Sequence, residues 1–154
     1  MSDARDRLLA AYPDFPRRRA LIAFGSDAMF GAPTWAFADA YSEHAPTYVY
    51  RFDHAAWSLR LLGLGATHGS EIVHVQHSYG SYLGRKMHPL GRRVQPSVGR
   101  RMQRTWIDFA TTGLDGDWPR YDAVTRRTRV IRSTRDDTVA DPDAVRRAAW
   151  EGLY

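Results

Sequence analysis

His68 stands in the run Gly65, Ala66, Thr67, His68, Gly69, Ser70, Glu71, a loop with glycines before and after the imidazole. Glycine lets the backbone adopt positive φ and leaves the ring unobstructed, which suits a general base that must reach a substrate and take a proton near neutral pH. The same pattern fits a loop histidine hydrogen-bonded to its surroundings. His74 and His77 follow closely, and with His68 and Glu71 they offer imidazole and carboxylate, the donors that zinc takes. Their spacing matches no H-E-x-x-H motif, and they sit beside Ile72, Val73 and Val75, which read as core residues. No metal or cofactor is therefore expected. Cysteine is absent, so the chain offers no thiolate nucleophile, thiolate zinc site or disulfide. Ser26, Ser70, Ser78, Ser81 and Ser97 all fall outside G-x-S-x-G, so there is no nucleophile elbow.

The elements that must position His68 are partly legible. Residues 3 to 11 suit a short helix with Leu8, Leu9 and Tyr12 inward, stopped by the Tyr12 to Pro16 stretch. Ser26 and Asp27 offer an N-cap and Pro33 a first helical position for a helix carrying Trp35, Ala36, Asp39, Ala40 and Glu43 up to Pro46. Thr47 to Phe52 is the best strand in the chain, a run of β-branched and aromatic residues. A loop is expected over residues 61 to 71, and an exposed connection over the Gly-, Pro- and Ser-rich stretch from 78 to 99. From Ser97 the periodicity predicts a helix with Val98, Met102, Trp106 and Phe109 toward the core, a back of Arg100, Arg101, Arg104 and Asp108, and Gly113 at its end. Residues 128 to 132 suit a second strand, and Asp141 with Pro142 would start a last helix packing Val145, Ala149 and Leu153 inward.

Helices thus outnumber strands, and two strands separated by a long helical segment do not make a stable sheet by themselves. At 154 residues the chain has the length of one domain, yet this pattern reads as part of a larger one. The formal net charge of +5 is also local. Between Glu71 and Asp108 lie Arg85, Lys86, Arg92, Arg93, Arg100, Arg101 and Arg104 with no acid; the 22 positives less these seven leave 15 against all 17 acids. A basic segment on a loop and one helix back, with no helix-turn-helix or RNA-binding motif, argues for a solvated surface over a nucleic-acid site. The membrane reading fails on the same helix, whose other face the core claims. Charges fill the first residues where a leader would be apolar, and no window approaches a spanning helix, so a soluble, cytoplasmic chain is expected.

Several stretches resemble the C-terminal third of type-B carboxylesterases, the α/β-hydrolase family that includes cholinesterases and para-nitrobenzyl esterases. Gly65 to Glu71 is similar to the segment holding that family's catalytic histidine, typically His-Gly followed closely by Glu. Ahead of it, Ser26, Asp27, Phe30 and Pro33, then Val49, Tyr50, Phe52 and Asp53, match the family's helix and central strand. Behind it, Trp106, Phe109, Ala110, Thr112 and Gly113, then Trp118, Pro119 and Tyr121, resemble its helix end and following Trp-Pro-x-Tyr turn. The similarity runs from about residue 9 to 150, in one segment covering the chain.

The resemblance implies an α/β class, the C-terminal segment of an α/β-hydrolase fold with an incomplete central sheet. It implies a Ser, Glu or Asp, His triad acting on carboxylic esters, with His68 as general base and Glu71 as a partner holding the loop. The family's triad acid precedes the histidine by more residues than this chain has upstream. Asp27, Asp39, Glu43 and Asp53 qualify only by residue type, and Asp27 looks like a structural position. The Gly-rich oxyanion loop is missing with the serine, and each lost oxyanion donor costs about 3 to 4 kcal/mol. The expected partner is thus a small-molecule ester, provided an N-terminal portion completes the site. The alternative is a non-catalytic remnant or an interaction subunit with a basic surface segment.

Overall fold

A computed structural model describes residues 2–88, 96–113 and 116–153. In chain order the elements are α1 (Ser2–Ala11), α2 (Arg18–Ser26), a π turn (Asp27–Gly31), α3 (Ala32–Ser42), β1 (Val49–Phe52), α4 (Trp57–Leu61), α5 (Ile72–Val75), α6 (Tyr82–Met87), α7 (Pro96–Thr112), β2 (Arg127–Ile131), β3 (Asp136–Ala140) and α8 (Ala144–Trp150). They fall into two compact units, one of residues 1–49, 120–128 and 140–154, the other of residues 50–119 and 129–139.

The first unit is helical. α2, the π turn and α3 run on without a break, and the Ala32 N–H closes the π turn on the Asp27 carbonyl. Ser26 and Asp27 are therefore not a helix start, as their capping chemistry predicts. Asp27 lies mid-helix and 6% exposed. Its carboxylate accepts from the Tyr12 hydroxyl at 2.7 Å and pairs with Arg146 of α8 at 3.0 Å, while Trp150 Nε1 donates to the same hydroxyl at 2.8 Å. Burial raises the Asp27 carboxyl above its ordinary range, and Tyr12 and Arg146 act against that rise. Phe24 packs its ring on Tyr12 and Trp150 at 5.4 and 5.2 Å. These partners turn α8 so that Ala149 and Trp150 face inward, whereas the expected core residues Val145 and Leu153 are exposed. Leu9 likewise points out, leaving Tyr12 as the anchor after α1.

The second unit holds the sheet, in the order β1-β2-β3. Four residues join β2 to β3, a length that only an antiparallel pair allows. The sequence shows no signal for β3, because its opening pair Asp136 and Asp137 is depleted in strands. Arginines compensate. Asp136 pairs with Arg101 at 3.0 Å and Arg129 at 3.4 Å, and Asp137 pairs with Arg132 and Arg135. Arg101 also donates to the Arg132 carbonyl at 2.6 Å, so it leaves the solvated helix back on which the periodicity places it. α7 lays Val98 and Met102 on Ile131, with Tyr50, Phe52, Val75 and Trp106 around them. Phe109 is 45% exposed instead of joining this core, one turn before Gly113 ends the helix at φ +72°. Downstream, Trp118 is buried against Trp106 and receives the Arg129 guanidinium over its ring at 5.5 Å.

The expected loop over 61–71 is preceded by α4. The stretch expected to be an exposed connection contains α6, with Tyr79, Gly84 and His88 buried; its residues 89–95 lie outside the described ones. Ser81 caps α6 by accepting from the Gly84 N–H at 3.0 Å. Among the described residues no helix is long and apolar enough to cross a membrane.

Two substitutions test these anchors by chemical denaturation. Tyr12→Phe strips a donor from Asp27 and an acceptor from Trp150, and is expected to cost about 1 to 3 kcal/mol. In Gly84→Ala the new Cβ would stand 2.2 Å from the Ser78 carbonyl and 2.8 Å from the Tyr79 Cα, both backbone atoms. That overpacking is expected to cost about 1 to 3 kcal/mol or more, where an ordinary helical Gly→Ala change would stabilise.

Candidate functional site

The His68 loop is built from the backbone outward. Gly63 and Gly65 take φ of +69° and +70°, turning the chain away from α4. The Ser70 N–H then donates to the Thr67 carbonyl at 3.0 Å, closing a four-residue turn with His68 and Gly69 at its centre. Gly69 has φ +75°, the value the third position of a type II turn demands and one that a side chain opposes. His68 is therefore carried at the corner of a hydrogen-bonded turn, and it is exposed. The glycines on both sides of it are used as the sequence reading expects.

Below the turn the chain enters α5 at once. The Glu71 carbonyl accepts from the His74 and Val75 N–H groups, both at 2.9 Å, and Ser70 is buried at 3% exposure. Glu71 itself is half-buried, and its charge adds to burial in raising the Tyr50 hydroxyl above its ordinary range. Glu71 thus stands at the joint between turn and helix, with its side chain's charge directed at β1.

Three of the four acids named as upstream candidates are engaged elsewhere. Asp53 is held by Arg51, Nε and Nη2 each donating at 2.8 Å. Asp27 carries the Tyr12 and Arg146 contacts of the first unit. In that same unit Asp39 accepts from the Tyr121 hydroxyl at 2.7 Å and pairs with Arg126 at 2.9 Å. Glu43 is an exposed residue just past α3.

His68, His74 and His77 do not come together as ligands. His74 is buried at 1% exposure while His68 and His77 are exposed, and among the described residues no group of three or more His, Cys, Asp or Glu side chains is placed to hold a metal ion. His74 instead joins two histidines that sequence spacing does not link to it. The rings of His54 and His88 meet its ring edge-to-face, with centroids at 5.0 and 4.9 Å, and all three are 1 to 3% exposed. Nδ1 of His74 lies 2.8 Å from the Tyr79 hydroxyl, and Nδ1 of His54 lies 2.8 Å from Ser133 Oγ. Nε2 of His54 and of His88 is buried without a hydrogen-bond partner. Burial disfavours the charged imidazole, pushing His54 down to about 4 and His74 down to about 3, and lowering His88. All three are neutral at pH 7. Gly99 on α7 makes room for this arrangement, since a Cβ there would meet the Tyr79 hydroxyl at 2.4 Å.

The site therefore consists of an exposed imidazole on a glycine-built turn, anchored through α5 to a buried, uncharged histidine core. Such an imidazole can exchange protons with a bound reactant. Among the described residues no serine stands in an elbow motif to be its partner.

Comparison with known proteins identifies the family of the chain. A family model described as the carboxylesterase family matches residues 13–148. The cocaine esterase of Oryctolagus cuniculus is 34% identical over 108 residues, covering 63% of this chain and 19% of that enzyme. A solved thermophilic PNB esterase superimposes with a TM-score of 0.75 at 23% identity over 95% of this chain and 30% of its own. A second PNB esterase structure gives a TM-score of 0.71 at 26% identity over 92% and 29%. A Geobacillus stearothermophilus carboxylesterase gives 0.74 at 23% over 95% and 32%. The chain thus spans about a third or less of each of these proteins, its three-stranded sheet is a part of an α/β-hydrolase sheet, and it belongs to the carboxylesterase family.

Proposed function

We propose that this chain is the C-terminal part of a carboxylic-ester hydrolase and supplies its general base, His68, to a serine and oxyanion donors carried on polypeptide outside this sequence. The observation that carries the reading is the exposed His68 on a turn whose Gly69 has φ +75°, in a carboxylesterase-family chain without G-x-S-x-G.

In this role the neutral imidazole takes the serine proton as the hydroxyl attacks the ester carbonyl. It then returns that proton to the leaving alcohol, and repeats the exchange with water to release the acid. Glu71 is a positioning residue that steadies the junction of the turn with α5. A carboxylate must orient the imidazole from its other side, and it too belongs to the missing part. The small-molecule ester is the substrate class, and the pockets for its acyl and alcohol groups are left to that part.

The surface supports incompleteness independently. Among the described residues β1 is an edge of a sheet of only three strands. Within the second unit Leu61 is 77% exposed, Tyr82 70% and Ile107 61%, and within the first Met29 is 69% and Phe37 67% exposed. Large apolar side chains in such number suit a covered surface better than a solvated one.

The purified chain alone is expected to leave p-nitrophenyl acetate at its buffer-catalysed rate. Adding a polypeptide that carries the G-x-S-x-G and Gly-rich loop segments of a carboxylesterase is expected to give a burst and turnover. His68→Ala should then lower kcat/KM about 10³-fold or more, while Glu71→Gln costs less. Turnover by the chain alone that His68→Ala abolishes, or a completed enzyme indifferent to His68→Ala, would overturn the reading.

A further inference from the structure

The buried imidazoles lie directly behind the loop that presents His68. His74 is on α5, and the Glu71 carbonyl that ends the His68 turn accepts from the His74 N–H at 2.9 Å. His54 follows β1 and His88 follows α6, so three separate stretches of the second unit meet ring to ring at α5. Phe52 closes a further side, its ring 5.3 Å from His74 and 5.8 Å from His54.

Among the described residues no carboxylate forms an ion pair with this cluster, whose ring nitrogens meet only the neutral Tyr79 and Ser133 hydroxyls. Two exposed or half-exposed cations, Arg60 from α4 and Arg101 from α7, oppose a charge on His54, and the histidines oppose one another. From α7 also comes Arg100, whose charge acts on Tyr79. From the loop after α5 come Tyr79 and the His77 ring packed on it at 5.1 Å. The β2–β3 turn contributes the neutral Ser133 hydroxyl. Of the acids on these elements, Glu71 at the start of α5 acts on the Tyr50 hydroxyl, and Asp136 on β3 is shared by Arg101 and Arg129. A proton added to any of the three rings would thus be a charge in a dry site among cations, which folded proteins relieve by opening.

We propose that the His54, His74 and His88 cluster is an acid-operated latch on α5: proton uptake expels this short helix from the core and releases the turn that holds His68. Four residues of helix have little intrinsic stability, so α5 is the element of the cluster that yields first. The sign follows from linkage. Each imidazole is neutral while packed and titrates near its ordinary value once exposed, so the open state binds more protons below about pH 6.5. The latch is fully closed above that value. It loosens as pH falls from there toward the packed values of about 4 for His54 and about 3 for His74.

Hydrogen exchange of the full chain, followed residue by residue from pH 7.5 to 5.0 and corrected for the intrinsic pH dependence, tests this without any catalytic readout. Its outcome is therefore separable from that of the esterase reading. The opening constant of the α5 amides is expected to rise about tenfold per pH unit below 6.5 for each proton taken up, while α3 keeps its protection. His74→Gln, uncharged at every pH, is expected to reduce the uptake by about one proton. His44→Gln, at an exposed position in the other unit, should leave it unchanged. If His74→Gln does not fold, His88→Gln serves as the same arm. Protection at α5 that is absent at pH 7.5, unchanged at pH 5.0, or lost together with α3 at one pH overturns the proposal, as does a slope that neither variant moves.

Discussion

The contact between His74 and Tyr79 governs the second unit, because it fixes what a polar ring is allowed to be inside this core. An imidazole removed from water survives there only if it is neutral and its donor or acceptor finds a partner. The Tyr79 hydroxyl, 2.8 Å from Nδ1, satisfies that demand. It requires in turn that α7 pass close by with glycine at position 99, that α5 begin immediately after the Thr67–Ser70 turn, and that His54 and His88 pack as rings against a ring. The position of the candidate base is thus set from beneath by a buried polar contact, with loop composition supplying only the turn.

Desolvated charge poses the same problem in the first unit and is solved by pairing. Asp27 is buried inside a helix, yet one tyrosine, one tryptophan and one arginine from α8 tie it into a network spanning the unit's sequence ends. Asp39 is treated alike by Tyr121 and Arg126. Arginine is the cation in every ion pair described, and many of these pairs hold structure, as with Arg101 at the β2–β3 turn. The basic surplus that reads as surface is therefore partly structural.

What the sequence discloses follows from the range of the interactions involved. Local signals succeed: the Gly-bracketed turn at His68, the amphipathic Val98 and Met102 face of α7, its stop at Gly113, and β1 all depend on residues a few positions apart. Non-local compensation defeats them. Asp136 and Asp137 look unfit for a strand until arginines from α7, β2 and the hairpin turn are counted. Ser26 and Asp27 look like a cap because the partners of Asp27, Tyr12 and Arg146, are 15 and 119 positions away. His54 and His88 carry no spacing signal relative to His74, since three elements bring them together. The family motifs recovered the fold where periodicity fell short, because they compress such non-local requirements into residue identity.

The π turn alters how the first unit's long helical run must be counted. A regular helix returns to the same face after three or four residues, but the Ala32 N–H reaches back five to Asp27, so one extra residue is spent in that turn. Of the buried positions, Ala20 comes before the extra residue, and Ala32 and Ala38 come after it. A single helical wheel drawn through residues 18–42 would therefore misplace one half of the run by about 100°. The extra residue acts as a shift of reading frame for the helix surface: Asp27 meets Tyr12 where the shift begins, and Asp39 meets Tyr121 beyond it.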